Sequence, residues 1–154
     1  MESLQQLAVL SAHSEDRIWS LSWSPNGRFL ATAGEDRVIR IWCSDGRGAA
    51  ASGGGDEPWT SAARIVCIAT LEDAQQRTIR CCEWSPDGTM IASASFDGTI
   101  VIWECQNKLA DSSSSSDSTL CTKWEQVSSL EGHENEVKGV AWSADGELIA
   151  TCGR

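Results

Sequence analysis

The residues whose types and spacing come nearest to chemistry are His13, Thr32 and Asp36, followed by Trp42. An imidazole between a carboxylate and a hydroxyl is the arrangement that activates a nucleophile in hydrolases. This set, however, recurs. Ser93, Asp97 and Trp103 repeat it further along, with Gln75 in the place of the histidine, and His133 and Thr151 begin a third copy. A catalytic constellation is built once, whereas a set that returns with each structural unit belongs to the unit. The expectation is a buried hydrogen-bond chain in which indole N–H, hydroxyl, imidazole and carboxylate satisfy one another and tie the turn between units to the inner strands. No separate nucleophile and base accompany it. The Gly-rich run at 53 to 56 lacks the Lys-Ser/Thr ending and the strand-to-helix setting of a phosphate loop. No catalytic residue is expected, and the chain reads as a non-enzyme.

Metal chemistry fares no better. Cys43, Cys67, Cys81, Cys82, Cys105, Cys121 and Cys152 form no C-x-x-C pair. Adjacent Cys81 and Cys82 on a strand would point to opposite faces and could not chelate one ion. The two histidines fall at equivalent repeat positions rather than as a pair, so neither a metal nor another cofactor is expected. The odd cysteine count, with no signal peptide in MESLQQLAVLSAHSED, reads as reduced thiols in the cytoplasm or also the nucleus. Twelve Lys and Arg stand against 22 Asp and Glu, a net charge of −10, which opposes the phosphate neutralisation that nucleic acid requires. No stretch approaches the roughly 20 apolar residues of a membrane helix, so neither nucleic acid nor membrane is an expected partner.

The elements that position these residues follow from a repeat. WSPNGRFLATAGEDRVIRIW (Trp23 to Trp42) lies over WSPDGTMIASASFDGTIVIW (Trp84 to Trp103) with 10 of 20 positions identical, and WSADGELIATCGR (Trp142 to Arg154) lies over the front of both. A period of 61 and then 58 residues exceeds the roughly 40 to 45 of a bare propeller blade, which implies insertions. Short runs rich in Ile, Val, Trp and Thr between Gly, Pro, Asn and Asp turns predict strands. They end at Trp23 and cover Phe29 to Ala33, Val38 to Trp42 and Arg64 to Leu71, then Met90 to Ala94, Thr99 to Trp103 and about Thr122 to Leu130. Ser24-Pro25-Asn26-Gly27 and Ser85-Pro86-Asp87-Gly88 are the turns, with Pro presetting φ and Gly supplying its positive value. Four antiparallel strands per unit make one blade. The fold class is therefore all-β, a propeller segment of two full blades and part of a third.

The expected organisation has four parts. Residues 1–17 hold a strand near Leu4 to Leu10 and the approach to the first blade. Residues 18–71 are blade one with a Gly/Ala-rich insertion at 46–63, residues 72–130 are blade two with a Ser-rich insertion at 106–121, and residues 131–154 begin blade three. Both insertions carry too little apolar content to fold alone. Trp59 is the one feature that favours a recognition role for either.

These units, with Leu130-Glu131-Gly132-His133 opening the third, resemble WD repeats. LEGHENEVKGVAWSADGELIATC, QRTIRCCEWSPDGTMIASASFDGTIVIWE and AHSEDRIWSLSWSPNG are further similar to the opening blades of the WD-repeat subunit of the cytosolic iron-sulfur cluster assembly targeting complex. The resemblance implies a seven-bladed ring acting as a non-enzymatic scaffold, which binds the other subunits of that complex and the client apo-proteins that receive clusters. It would hold no cluster stably itself. A scaffold of another pathway, such as a ubiquitin-ligase receptor or a G-protein-beta-like adaptor, is the alternative. The chain departs from the pattern at Gln75, in its two long insertions and in stopping at Arg154, and so reads as a truncated product, an isoform or a fragment.

In such propellers the residues flanking the first apolar position of each inner strand, and the one before the turn Asp, point out of one face. By that offset the partner-binding residues are Arg17, Trp19 and Glu35 in blade one, Thr78, Arg80 and Phe96 in blade two, and Glu136, Lys138 and Arg154 in blade three. Exposed aromatics and arginines dominate interface energetics, which singles out Trp19, Phe96, Arg80 and Arg154.

Overall fold

The computed structural model describes residues 6–11, 13, 16–44, 64–106 and 123–154. Among them every regular element is a strand: β1 (Ile18–Trp23), β2 (Phe29–Gly34), β3 (Ile39–Ser44), β4 (Ile65–Leu71), β5 (Ile79–Trp84), β6 (Met90–Ser95), β7 (Ile100–Cys105), β8 (Trp124–Leu130), β9 (Val137–Trp142) and β10 (Ile149–Gly153). They form two four-stranded antiparallel sheets, β1 to β4 and β5 to β8, and a two-stranded pair of β9 and β10. The architecture is a partial β-propeller.

The turn between the first two strands of each blade has one solution used three times. Ser24 Oγ accepts the Phe29 N–H at 2.9 Å, Ser85 Oγ accepts that of Met90 at 2.9 Å, and Ser143 Oγ accepts that of Leu148 at 2.9 Å. Gly27, Gly88 and Gly146 supply φ of 67°, 74° and 75°, which a side chain would strain.

Burial differs by blade because packing is between blades. One cluster joins Ala31, Ile39 and Ile41 of the first sheet to Cys82, Trp84 and Ile91 of the second; another joins Ala92, Ile100 and Ile102 to Val137 and Val140. The second sheet is thus covered on both faces, and β6 and β7 are buried along most of their length. A tryptophan pins each junction. Trp84 Nε1 donates to the Ser22 carbonyl at 3.1 Å, and Trp142 Nε1 donates to the Glu83 carbonyl at 3.2 Å. Phe29 also stacks on Trp84, with ring centroids 6.2 Å apart.

Two expectations need correction. Residues 6–11 form no strand, although one was expected near Leu4 to Leu10; a strand needs a ladder, and this segment lies against Trp23, Leu30 and Ile65 of the first blade without pairing to its sheet. The cysteines are not uniformly reduced, because Cys105 is disulfide-bonded, while Cys43, Cys67, Cys81, Cys82 and Cys152 are free. Spacing alone gave no signal for that bond. Both insertions, with Trp59, lie almost wholly outside the described residues, joining β3 to β4 and β7 to β8.

Candidate functional site

In the first blade β2 carries Thr32, the following turn carries Asp36, and β3 carries Trp42. His13 reaches them from the segment before β1. Its Nδ1 lies 2.9 Å from Asp36 Oδ2 and its Nε2 lies 2.8 Å from Thr32 Oγ1, while Trp42 Nε1 donates to Thr32 Oγ1 at 2.9 Å. With Nδ1–H donated to the carboxylate, Nε2 accepts the threonine hydroxyl, whose oxygen remains free to accept the indole. Arg40 Nη1 donates to Asp36 Oδ2 and lies 2.8 Å from His13 Nδ1. Burial pulls the Asp36 carboxyl upward, but hydrogen bonds from Arg40 and His13 and their charge hold it below the ordinary 3.8.

This is the geometry of a carboxylate, imidazole and hydroxyl relay, yet it offers nothing to attack with. Thr32 is 5% exposed, and its oxygen already accepts the indole N–H. A nucleophile must reach its substrate.

The second blade solves the same position differently. Gln75 Oε1 accepts the Ser93 hydroxyl at 2.8 Å, and Gln75 Nε2 donates to the Ser93 and Thr99 carbonyls at 3.3 and 3.2 Å. Asp97 turns away from Ser93 and accepts from Thr99 N, Thr99 Oγ1 and Gln76 N at 2.9, 2.6 and 2.6 Å. Burial raises its carboxyl pKa less than these Thr99 and Gln76 bonds lower it. The expected chain fails at Trp103, whose buried Nε1 has no hydrogen-bond partner. The Ser93 hydroxyl donates to Gln75 Oε1 and to the Val101 carbonyl, and its oxygen accepts no indole N–H. In the third blade His133 Nε2 lies 2.9 Å from Thr151 Oγ1.

The residues assigned to the outer face gather at the end of the sheets where the inner strands begin. Glu35 N donates to the Arg17 carbonyl, Phe96 N to that of Thr78 and Arg154 N to that of Glu136, the same bond in each blade. A β-bulge sits beside it every time. Pairing skips Trp19 between Ile18 and Ser20, Arg80 between Ile79 and Cys81, and Lys138 between Val137 and Gly139. A bulged residue is freed from the ladder and re-aimed, so the three most forward positions are one structural position repeated. Trp19, 40% exposed, receives the Arg80 guanidinium from the next blade at 5.2 Å from its ring centroid.

Sequence reasoning missed three members. Arg77 stacks on Phe96 at 5.9 Å, donates to its carbonyl at 2.7 Å and pairs with Glu136 of the third blade at 3.8 Å. Arg40 completes the buried chain, and its place four residues after Asp36 was a usable signal. Ser20 joins the first two blades by accepting the Cys82 N–H at 3.1 Å. Among the described residues no three His, Cys, Asp or Glu side chains gather to hold a metal ion.

Fold and site together define a class: a blade-repeat protein with a polar chain inside each repeat and arginines and aromatics brought to one face. The chain belongs to the WD repeat family, whose model, described as WD domain, G-beta repeat, matches residues 4–43, 65–104 and 124–154. It is 35% identical over 179 aligned residues to a probable cytosolic iron-sulfur protein assembly protein 1 of Cryptococcus neoformans var. neoformans, across 100% of this chain and 39% of that protein. It is 33% identical to a probable cytosolic iron-sulfur protein assembly protein CIAO1 homolog of Caenorhabditis elegans, across 90% of this chain and 34% of that protein. The Schistosoma japonicum protein of the same name is 42% identical over 68% of the chain. The chain spans less than two fifths of the length of each of these relatives.

Proposed function

We propose that the chain is a docking scaffold of cytosolic iron-sulfur protein assembly, binding other subunits of a targeting complex and client apo-proteins that receive clusters. The observation that carries this reading is similarity along the whole chain to a protein named for that assembly. The bulge-presented face supports it, since Arg80 on Trp19 and Arg77 on Phe96 are guanidiniums held in place by aromatics. The role is non-enzymatic, in keeping with the burial of Thr32. The polar chains of His13, Thr32, Asp36 and Trp42, of Gln75, Ser93 and Asp97, and of His133 and Thr151 serve stability. The names of the relatives support a cytosolic location, and no observation adds the nucleus.

Affinity capture of the tagged chain from cells, with the recovered proteins identified by mass spectrometry, tests the reading. Recovery of iron-sulfur assembly factors and iron-sulfur apo-proteins is expected. Recovery of cullin-type ligase subunits instead would transfer the chain to another pathway.

A further inference from the structure

Blade two has a neighbour packed on each side, so what it exposes at the end carrying the bulges is a surface of the assembled repeat. The framework there is one bond used in every blade, Glu35 N to the Arg17 carbonyl, Phe96 N to that of Thr78 and Arg154 N to that of Glu136. Three residues of blade two depart from the other blades on this framework. By repeat position Arg77, Ser95 and Phe96 answer to Asp16, Gly34 and Glu35 in blade one and to Asn135, Gly153 and Arg154 in blade three. The three are bonded to one another. Arg77 Nη1 donates to the Phe96 carbonyl at 2.7 Å, and its guanidinium lies 5.9 Å from the Phe96 ring centroid. The hydroxyl of Ser95, a fully buried residue, donates to the Arg77 carbonyl at 3.1 Å and accepts the Asp97 N–H at 3.2 Å. A Cβ at Gly34 or Gly153 would collide with the Arg17 or Glu136 carbonyl, so a side chain at this position bears directly on the segment that enters the blade. What recurs belongs to the repeat, whereas residues that differ together and touch one another form a device of this blade alone.

Given the docking role of this face, we propose that Arg77 contacts the partner, taking the carboxylate of an acidic side chain, and that Ser95 is its positioning residue. The Arg77 side chain is 56% exposed, and its ion pair with Glu136, at 3.8 Å, is of the kind that adds little to stability. Ordering so exposed a guanidinium by a ring, a carbonyl and a carboxylate removes in advance the freedom that binding would otherwise have to remove. Of its N–H groups these contacts use one on each terminal nitrogen, and the others suit the oxygens of a carboxylate. In a chain of net charge −10, an acidic segment is repelled by most of the surface and accepted where guanidiniums gather, which makes the contact selective. Arg80, held on Trp19 by ring and carbonyl in the same way, extends the surface towards blade one.

The test titrates the partner captured from cells, purified, against the parent chain, Arg77→Gln, Ser95→Gly and the double variant by calorimetry at low and at high salt. Arg77 is exposed, and the fold already takes glycine at the Ser95 position in the other two blades, so circular dichroism of each variant matches that of the parent. Arg77→Gln should weaken binding by about tenfold or more, the worth of a hydrogen bond to a charged group. Its affinity should also fall less than that of the parent as salt is raised. Ser95→Gly should weaken binding about threefold beside Arg77 and not at all in the Arg77→Gln chain, a coupling that general loosening of the blade would not produce. Unchanged affinity in Arg77→Gln, or a salt response equal to that of the parent, overturns the role of Arg77. Equal losses from Ser95→Gly with and without Arg77 overturn that of Ser95. Both are read on whichever partner the parent captures, so recovery of cullin-type subunits would remove the iron-sulfur reading while the titration still decides the role of Arg77. A parent that captures no partner overturns both.

Discussion

Blades one and two share half of their residues across the repeat core and reach opposite electrostatic solutions at the same place. In the first, a histidine joins a carboxylate, a hydroxyl and an indole into one satisfied chain with Arg40 at its end. In the second, Gln75 satisfies Ser93 and two carbonyls, and the Trp103 indole is buried without an acceptor. The difference teaches what the repeat requires. The second blade holds the same turn without an imidazole, and both of its faces are covered by apolar neighbours. In the first blade the imidazole ties the turn carboxylate to the strand hydroxyl.

The widest gap between the two is therefore expected at the side chain that differs. His13→Ala strands Thr32 and weakens the bonding of Asp36, a cost of about 2 to 3 kcal/mol in urea denaturation. Gln75→Ala removes bonds of a neutral amide and costs about 1 to 2 kcal/mol, with Trp103 no worse off than before. Equal losses in both variants would erase the distinction. The indoles sharpen it further: Trp42→Phe breaks a made hydrogen bond and Trp103→Phe deletes an unpaired N–H, so the first should cost about 1 kcal/mol more than the second.

Acid provides a smaller contrast. The Asp36 and Asp97 carboxyls are both held below the ordinary 3.8, so the stability each contributes is complete above about pH 4 and is lost as the pH falls through the folded-state value. Asp36 owes part of that shift to His13, whereas Asp97 owes none of it to Gln75. His13→Ala should accordingly shallow the loss of melting temperature below pH 4, and Gln75→Ala should leave it unchanged.

What was legible in the sequence was local. The Ser-Pro-x-Gly turns and the strands around them follow from residue type within a few positions, and each strand predicted within the repeats lies within two residues of an observed one, whereas the one expected near Leu4 to Leu10 does not form. The grouping of Arg17 with Glu35, of Thr78 with Phe96 and of Glu136 with Arg154 followed from the offset that the resemblance to WD repeats implies. The bulges at Trp19, Arg80 and Lys138 were not legible, because they are properties of pairing between strands. Nor was the isolation of the Trp103 indole, which depends on atomic positions inside the packed blade. Arg77 escaped because its partners, Phe96 and Glu136, lie on a later turn and the next blade.

The most direct measurement concerns the face to which all three blades bring their bulges. Arg80→Glu combined with Arg154→Glu reverses two charges on it, and neither residue belongs to a buried polar chain. In quantitative capture from cells the double variant should lose the iron-sulfur assembly partners recovered with the parent, while its melting temperature falls by no more than a few degrees. Undiminished recovery of those partners would contradict the assignment of this face as the docking surface.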